Sequence, residues 1–256
     1  MTLAPMRERL RAYRDGSPLA LAAMEQVRTR IEGRDVIFTL NMQRDPIQNQ
    51  HRLGRFYEAE ELDSLREVLP EGMVVLDVGA NVGNHALWFA LFGGASRVVV
   101  VEPNPLALEP LVANVLSNGL DGVIDLDRIG FGLSNRNEGG FFMKAHDRNL
   151  GATKMFADAG GNLEVRRGDE AFADLTPDLI KIDVEGMEVE VLQGLDQLVA
   201  RVRPVLMVEV DDANLTAFAA WVEAKDYIEH RAFGVGRHNA NHILVPAERA
   251  GITLQA

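Results

Sequence analysis

The stretch that decides the fold is Met73–Ala90, MVVLDVGANVGNHALWFA. An aliphatic run reaches Asp77, passes Gly79 and Gly83, and resumes at His85 with helical spacing. A strand that stops at an acid, turns through glycine and restarts as a helix opens a βαβ unit, whose helix N-terminus faces a ligand. Working outward, the pattern repeats. RVVVVE (97–102) precedes the helical LALEPLVANVLSNG (106–119), and VIDLDRI (123–129) is a weaker third strand. LIKIDV (179–184) precedes EVEVLQGLDQLVARV (188–202), and PVLMVEV (204–210) precedes NLTAFAAWVEAKD (214–226). Unbroken Val/Ile/Leu runs suit strands covered on both faces, and strand–helix alternation predicts a parallel, doubly wound α/β sheet. YIEHRAF (227–233) and HNANHILVP (238–246) read as a closing hairpin, and residues 139–178 as an irregular or hairpin insertion.

Upstream, residues 1–32 read as two helices, LAPMRERLRAYR and then LALAAMEQVRTRIEG, broken at Gly16–Pro18 and closed by Gly33. DVIFTLN (35–41) is a strand candidate, MQRDPIQNQHRLG (42–54) a polar loop, and Tyr57–Leu69 a helix stopped by Pro70 and Gly72. With no repeat or low-complexity linker, residues 1–55 are expected to form an N-terminal extension packed on a main domain over 56–256.

The formal charge of −12 opposes broad contact with a phosphate backbone, so no nucleic-acid partner is expected. Arg148, Lys154, Arg166 and Arg167 form a local basic set that reads first as solvated loop charge. Cysteine is absent, which excludes disulfides and fits a reducing compartment. Neither a signal-peptide core nor a membrane-length apolar run is visible, so the expectation is a cytoplasmic protein without membrane contact.

Four strands end in acids: Asp77, Glu102, Asp183 and Glu209. In a parallel sheet those ends share one edge, where ligands bind. Gly79 and Gly83 are expected to let a ligand approach the backbone. The spacing D-x-G-x-x-x-G lacks the dinucleotide and P-loop signatures. Glu102, 25 residues beyond Asp77, suits both hydroxyls of a ribose. A nucleoside carrying a small charged group is implied, and S-adenosylmethionine fits better than NAD.

The chain resembles the FkbM family of S-adenosylmethionine-dependent methyltransferases. The resemblance rests on GRFYEAEELDSL, VLDVGANVGNHALWFA, VVVEPNP, GLSNRNEG, NLGATKM, LIKIDVEGMEVEVLQGL and RPVLMVEV, in that order across about residues 54–211. It implies a Rossmann-like, seven-stranded methyltransferase sheet with its last strand antiparallel, and O-methylation of a sugar, glycan or natural product. By the same resemblance Asp77, Gly79, Ala80, Asn81, Gly83 and Asn84 surround the methionine part of the cofactor. Glu102 holds the ribose, Pro103 and Asn104 lie beside the adenine, and Gly132 and Leu133 flank it.

Methyl transfer to an alcohol needs in-line positioning and a route for the hydroxyl proton. Asp183 is expected at the reaction centre. Glu185 is either a base or the cap of the following helix, with Glu188 one turn further on. Glu209 would bind acceptor hydroxyls, join Asp183 around a divalent cation, or only border the cleft, and no required metal is expected. Lys181 reads as a strand lysine reaching solvent, or else as a group orienting an acid. His85 is a possible base, with a packing or cofactor-side place favoured; His51, His146, His238 and His242 read as surface. Asn149 and Gly151 are candidates for the acceptor pocket, and the helix from Tyr57 for its cover. Asn114 and Asn118 read as helix end and packing, and Trp88 and Phe89 as core. An amine acceptor, a silent cofactor-binding module and an NAD oxidoreductase are the alternatives. The oligomeric state is left open, a homodimer included.

Overall fold

The aliphatic runs that set the sequence pattern lie side by side, each strand dividing its alternate residues between two cores. The computed structural model describes residues 5–144, 149–150, 153–158, 160–234 and 238–250. In chain order come α1 (Met6–Arg14), β1 (Glu25–Ile31), β2 (Arg34–Leu40), α2 (Pro46–Arg52) and α3 (Ala59–Leu65). Next are β3 (Val74–Val78), α4 (Asn84–Leu91), β4 (Arg97–Val101), α5 (Pro105–Ser117) and the short β5 (Ile124–Asp125). Then follow β6 (Gly132–Ser134), β7 (Glu138–Met143), β8 (Met155–Ala157), β9 (Leu163–Arg167), α6 (Gly168–Ala171) and β10 (Leu179–Ile182). The chain continues through α7 (Glu188–Gly194), α8 (Asp196–Val202), β11 (Val205–Asp211), α9 (Leu215–Ala224), β12 (Tyr227–Phe233) and β13 (Asn239–Pro246).

Seven strands form the central sheet in the order β12-β13-β11-β10-β3-β4-β5. β13 runs antiparallel to both neighbours and the other pairings are parallel, so the sheet is Rossmann-like with its last strand reversed, as expected. Val75, Val98 and Val100 face a core shared with α3, α4 and α5, while Leu76, Val99 and Val101 face one shared with α7, α8 and α9. Each fully buried aliphatic side chain contributes roughly 1.5–3 kcal/mol. Strand order reverses between β3 and β10, and this opens a crevice at their carboxyl ends.

Several expectations need correction. The segment 25–31 is a strand, paired antiparallel with β2. Glu32 (φ 46) and Gly33 (φ 81) make the two-residue turn that joins them, so Gly33 closes a hairpin rather than a helix. The polar loop contains α2, started by Asp45 Oδ1 accepting from Gln48 N–H at 2.9 Å and by Pro46 in the first turn. The third strand shrinks to Ile124–Asp125, and the helix after the fourth divides at Leu195. The insertion is more ordered than expected: its strands join β6 in a second sheet of order β6-β9-β7-β8.

Two asparagines moor the front hairpin. Asn114 Oδ1 accepts from Thr39 N–H at 2.5 Å, and its Nδ2 donates to the Val82 carbonyl at 2.7 Å. Asn118 Oδ1 accepts from Ile37 N–H at 2.9 Å, and its Nδ2 donates to the Ile37 carbonyl at 2.8 Å. No helix among the described residues is long and apolar enough to cross a membrane.

Candidate active site

The turn after β3 carries three left-handed residues, Gly79 (φ 79), Asn81 (φ 50) and Gly83 (φ 88). A Cβ at Gly79 would lie 1.8 Å from the Asp183 carbonyl oxygen, and one at Gly83 would lie 2.8 Å from Leu111 Cδ1. Neighbouring parts of the chain require these glycines: the turn threads between the end of β10 and α5. Glu102, directly after β4 and nearly buried, grips the same turn. Its Oε2 accepts from Asn81 N–H at 2.7 Å and its Oε1 from Asn104 N–H at 2.6 Å. Burial pushes this carboxyl up to about 7. The two N–H bonds and Lys181 oppose that rise, and Asp183 adds to it. Asn104 Oδ1 in turn caps α5 by accepting from Leu106 N–H at 3.1 Å.

A cavity of about 600 Å³ opens above this turn. Gly79, Asn81, Glu102, Pro103 and Asn104 form one side, and Gly132 and Leu133 of β6 another. Met143, Leu150 and Met155 bring apolar wall from the second-sheet region, and Asp183–Glu185 separate this space from a second cavity. Leu150 N–H donates to Asp45 Oδ2 at 2.8 Å, which ties the insertion to the start of α2. Ala80 and Asn84 border the second cavity, and Gly83 borders neither. The Asn84 amide is engaged with the front segment: Oδ1 accepts from Tyr57 N–H and contacts His51 Nε2, each at 2.9 Å, and Nδ2 donates to the Tyr57 carbonyl at 3.0 Å.

Beneath the turn lies a buried ion cluster. Asp77 is fully buried, and neither carboxylate oxygen accepts a hydrogen bond from the described residues. Lys181 Nζ stands 3.3 Å from Asp77 Oδ1 and 3.4 Å from Asp183 Oδ2, and donates to the Gly79 carbonyl at 2.8 Å. This lysine is 3% exposed, so the expectation that it reaches solvent is overturned. Burial alone would lower its pKa, but Asp77, Asp183 and Glu58 together hold it above the ordinary lysine value. It is a permanent internal cation.

The second cavity, about 580 Å³, is lined by Glu58, His85, Lys181, Asp183, Glu185 and Glu209, with Tyr57 and Asn149 at its border. Tyr57 and Glu58, which lead into α3, thus form part of this cavity's wall. Burial, and then Asp183 through its charge and a hydrogen bond, push the Glu209 carboxyl up to about 10. Asn239 Nδ2 donates to the same Glu209. Glu185 has a left-handed backbone (φ 52). Burial, then Asp183 and Asp211, raise its carboxyl to about 8 against the pull of Lys154. Both acids thus hold protons at neutral pH. Glu185 does not cap α7, which starts at Glu188 with no side-chain cap. Glu188 is buried behind the site, accepting from Asp211 N–H at 2.9 Å and the Asn214 amide at 2.7 Å.

His51 also departs from expectation. It is buried and stacks on Phe38 at 4.2 Å, and burial lowers its pKa to about 4. His242 is mostly buried as well, 2.6 Å from Glu229. Lys154, Arg166 and Arg167 pair with Asp211, Glu164 and Asp169, so they form no joint basic face. Arg148, His146 and Gly151 lie outside the described residues. Sequence reasoning gave no role to Glu58, Met143 or Met155. Glu58 sits within the quoted GRFYEAEEL, the one available signal.

Hexuronic acid methyltransferase AglP of Haloferax volcanii is 29% identical over 153 residues, 59% of this chain and 61% of that protein. The AMB antimetabolite synthetase AmbE of Pseudomonas aeruginosa is 30% identical over 66% of this chain, a match spanning 10% of that protein. The chain thus spans about three fifths of one relative and a tenth of the other. A solved FkbM methyltransferase from Methylobacillus flagellatus aligns at 20% identity and TM-score 0.44, over 67% of this chain and 43% of that one. TrmK of M. capricolum, solved with S-adenosyl-homocysteine, aligns at 11% identity and TM-score 0.46, over 73% and 67%. The family model of the methyltransferase FkbM domain matches residues 77–235, from the acid of β3 past the end of β12. On that match the chain belongs to the FkbM methyltransferase family.

Proposed function

We propose that the protein transfers a methyl group from S-adenosylmethionine to a hydroxyl of a sugar, glycan or natural-product acceptor. The observation that carries this reading is Glu102: a buried carboxylate at the end of β4, held by two backbone N–H groups and facing an apolar-walled cavity that adjoins a polar one. The residues present fit the cofactor. Glu102 would receive the ribose hydroxyls, Leu133, Met143 and Met155 the adenine, and Gly79, Asn81 and Asp183 the methionine part. When bound, the cofactor supplies a methyl group on a positively charged sulfur, an electrophile that needs no further activation.

The chain's own work is then placement and proton handling. Asp183 stands between the cavities, oriented by Lys181. Glu185 and Glu209, protonated at neutral pH, offer hydrogen bonds to a polyhydroxyl acceptor. AglP, named for a hexuronic acid, supports a sugar-type acceptor. Glu58 and Asp183, the other two acids of the second cavity, would also attract an amine, so amino sugars belong in the same assay.

Calorimetry with S-adenosylhomocysteine, beside methyl uptake by a panel of neutral sugars, amino sugars and uronates, tests the reading. Binding lost in Glu102→Ala supports it. No binding by the intact protein, or equal affinity in the variant, removes it.

A further inference from the structure

We propose that His85, held by Glu58, accepts the proton of the acceptor hydroxyl. The inference rests on the methyltransferase reading above. His85 occupies the first turn of α4, directly beyond the glycine turn, and its ring forms part of the second cavity's wall. It is 6% exposed, and Nε2 has no aligned hydrogen bond among the described residues. Glu58 Oε2 nevertheless stands 3.1 Å from that nitrogen. Glu58 is itself anchored, since Oε1 accepts from the Asn241 amide at 3.1 Å, and its left-handed backbone (φ 56) brings it into the same wall. Such a backbone costs on the order of 1–3 kcal/mol in a non-glycine residue, and strain of this kind clusters at functional sites.

The surrounding groups leave the ring as the acceptor of choice. Glu58 and Glu61 face it from α3 and its N-cap, and His51 from α2. Lys181, Asp183, Glu185 and Glu209 line the same cavity from β10, the loop beyond it and β11. Glu185 and Glu209 already hold protons, and burial pushes the Tyr57 phenol up to about 12, so it stays protonated too. Lys181 is a cation, and Asp183 is engaged by Lys181 and by the Glu209 proton. Glu58, 3.1 Å from Nε2, offsets the charge of the ring once the proton has arrived. In the step, the hydroxyl oxygen forms the new O–CH3 bond, the S–CH3 bond breaks with its electron pair left on sulfur, and the hydroxyl proton passes to His85. The imidazolium beside Glu58 then returns that proton to solvent.

Acylation by diethyl pyrocarbonate, read by mass spectrometry across pH, tests the pair without any acceptor. His85 should react several-fold faster than His51, and Glu58→Gln should move the midpoint of the His85 profile about one pH unit lower. Glu58→Asp, which keeps the charge, should restore at least half of that shift. His85→Gln should bind S-adenosylhomocysteine within about twofold of the parent while methyl transfer to the sugar panel falls about 10²- to 10⁴-fold. An unmoved midpoint in Glu58→Gln, or a His85→Gln rate within threefold of the parent, overturns the proposal. If the intact protein fails to bind S-adenosylhomocysteine, the methyltransferase reading itself falls. If it binds but methylates no sugar, the acceptor class falls and the acylation midpoint alone decides the pair.

Discussion

Replacing Lys181 with methionine keeps the length of the side chain and removes its charge. At 3.3 Å from Asp77 Oδ1, the attraction is worth about 5 kcal/mol with an effective dielectric near 20. Removing one partner of a buried ion pair costs about 3–5 kcal/mol, because the other charge is left uncompensated. Asp77 has no hydrogen bond among the described residues to soften that loss. For a chain of this size the deficit corresponds to a fall of roughly 6–20 °C in Tm. The pH dependence gives the argument its sharper test. In the parent, Lys181 has a folded pKa raised above the unfolded value, so its contribution is complete below about 10.5 and constant between pH 5 and 8. In the variant, Asp77 can escape its burial penalty only by taking a proton, so the deficit should shrink as pH falls from 8 to 5. Urea denaturation at the two pH values measures this, and Lys181→Met/Asp77→Asn should regain much of the loss. A deficit under about 1 kcal/mol at pH 8, or one equal at both pH values, refutes the reasoning.

Three further outcomes are expected. Burial pushes the Glu102 carboxyl up to about 7, and the proposed ribose contact would need it ionised, so S-adenosylhomocysteine affinity should fall about tenfold from pH 8 to pH 6 by calorimetry; a flat profile in that window argues against the assignment. Gly79→Ala drives a Cβ into the Asp183 carbonyl at 1.8 Å and should lower stability by more than about 3 kcal/mol in urea or leave the protein insoluble. Gly83→Ala meets only a leucine methyl at 2.8 Å and should cost less. Asn114→Ala leaves Thr39 N–H and the Val82 carbonyl without this partner, a cost of about 1–3 kcal/mol each; faster hydrogen exchange at the Thr39 amide is its signature.

Four strands of the central sheet, β3, β4, β10 and β11, were legible because they are buried on both faces and write themselves as aliphatic runs, each meeting an acid at its carboxyl end. The front segment was not. EQVRTRI carries both helical formers and a strand alternation, and the deciding element is the Glu32–Gly33 turn, whose two positive φ values a sequence does not display. Lys181 was misread for a different reason. Its partner Asp77 lies 104 residues earlier in the chain and becomes its neighbour only through the parallel register of β10 on β3, in which the two residues face each other directly. The glycine pattern points to a tight turn, but the Asp183 carbonyl and the Leu111 side chain that leave no room for a Cβ come into view only once the elements are assembled. His51 looked like a loop residue until α2 formed and placed it on Phe38.

The mooring of β2 on α5 has a mutational consequence. Asn114 and Asn118 read the main chain of residues 37 and 39, not their side chains. The attachment is therefore indifferent to what the front hairpin carries on its outward face. Outward side chains of that hairpin can change without loosening the joint, whereas replacing either asparagine releases it.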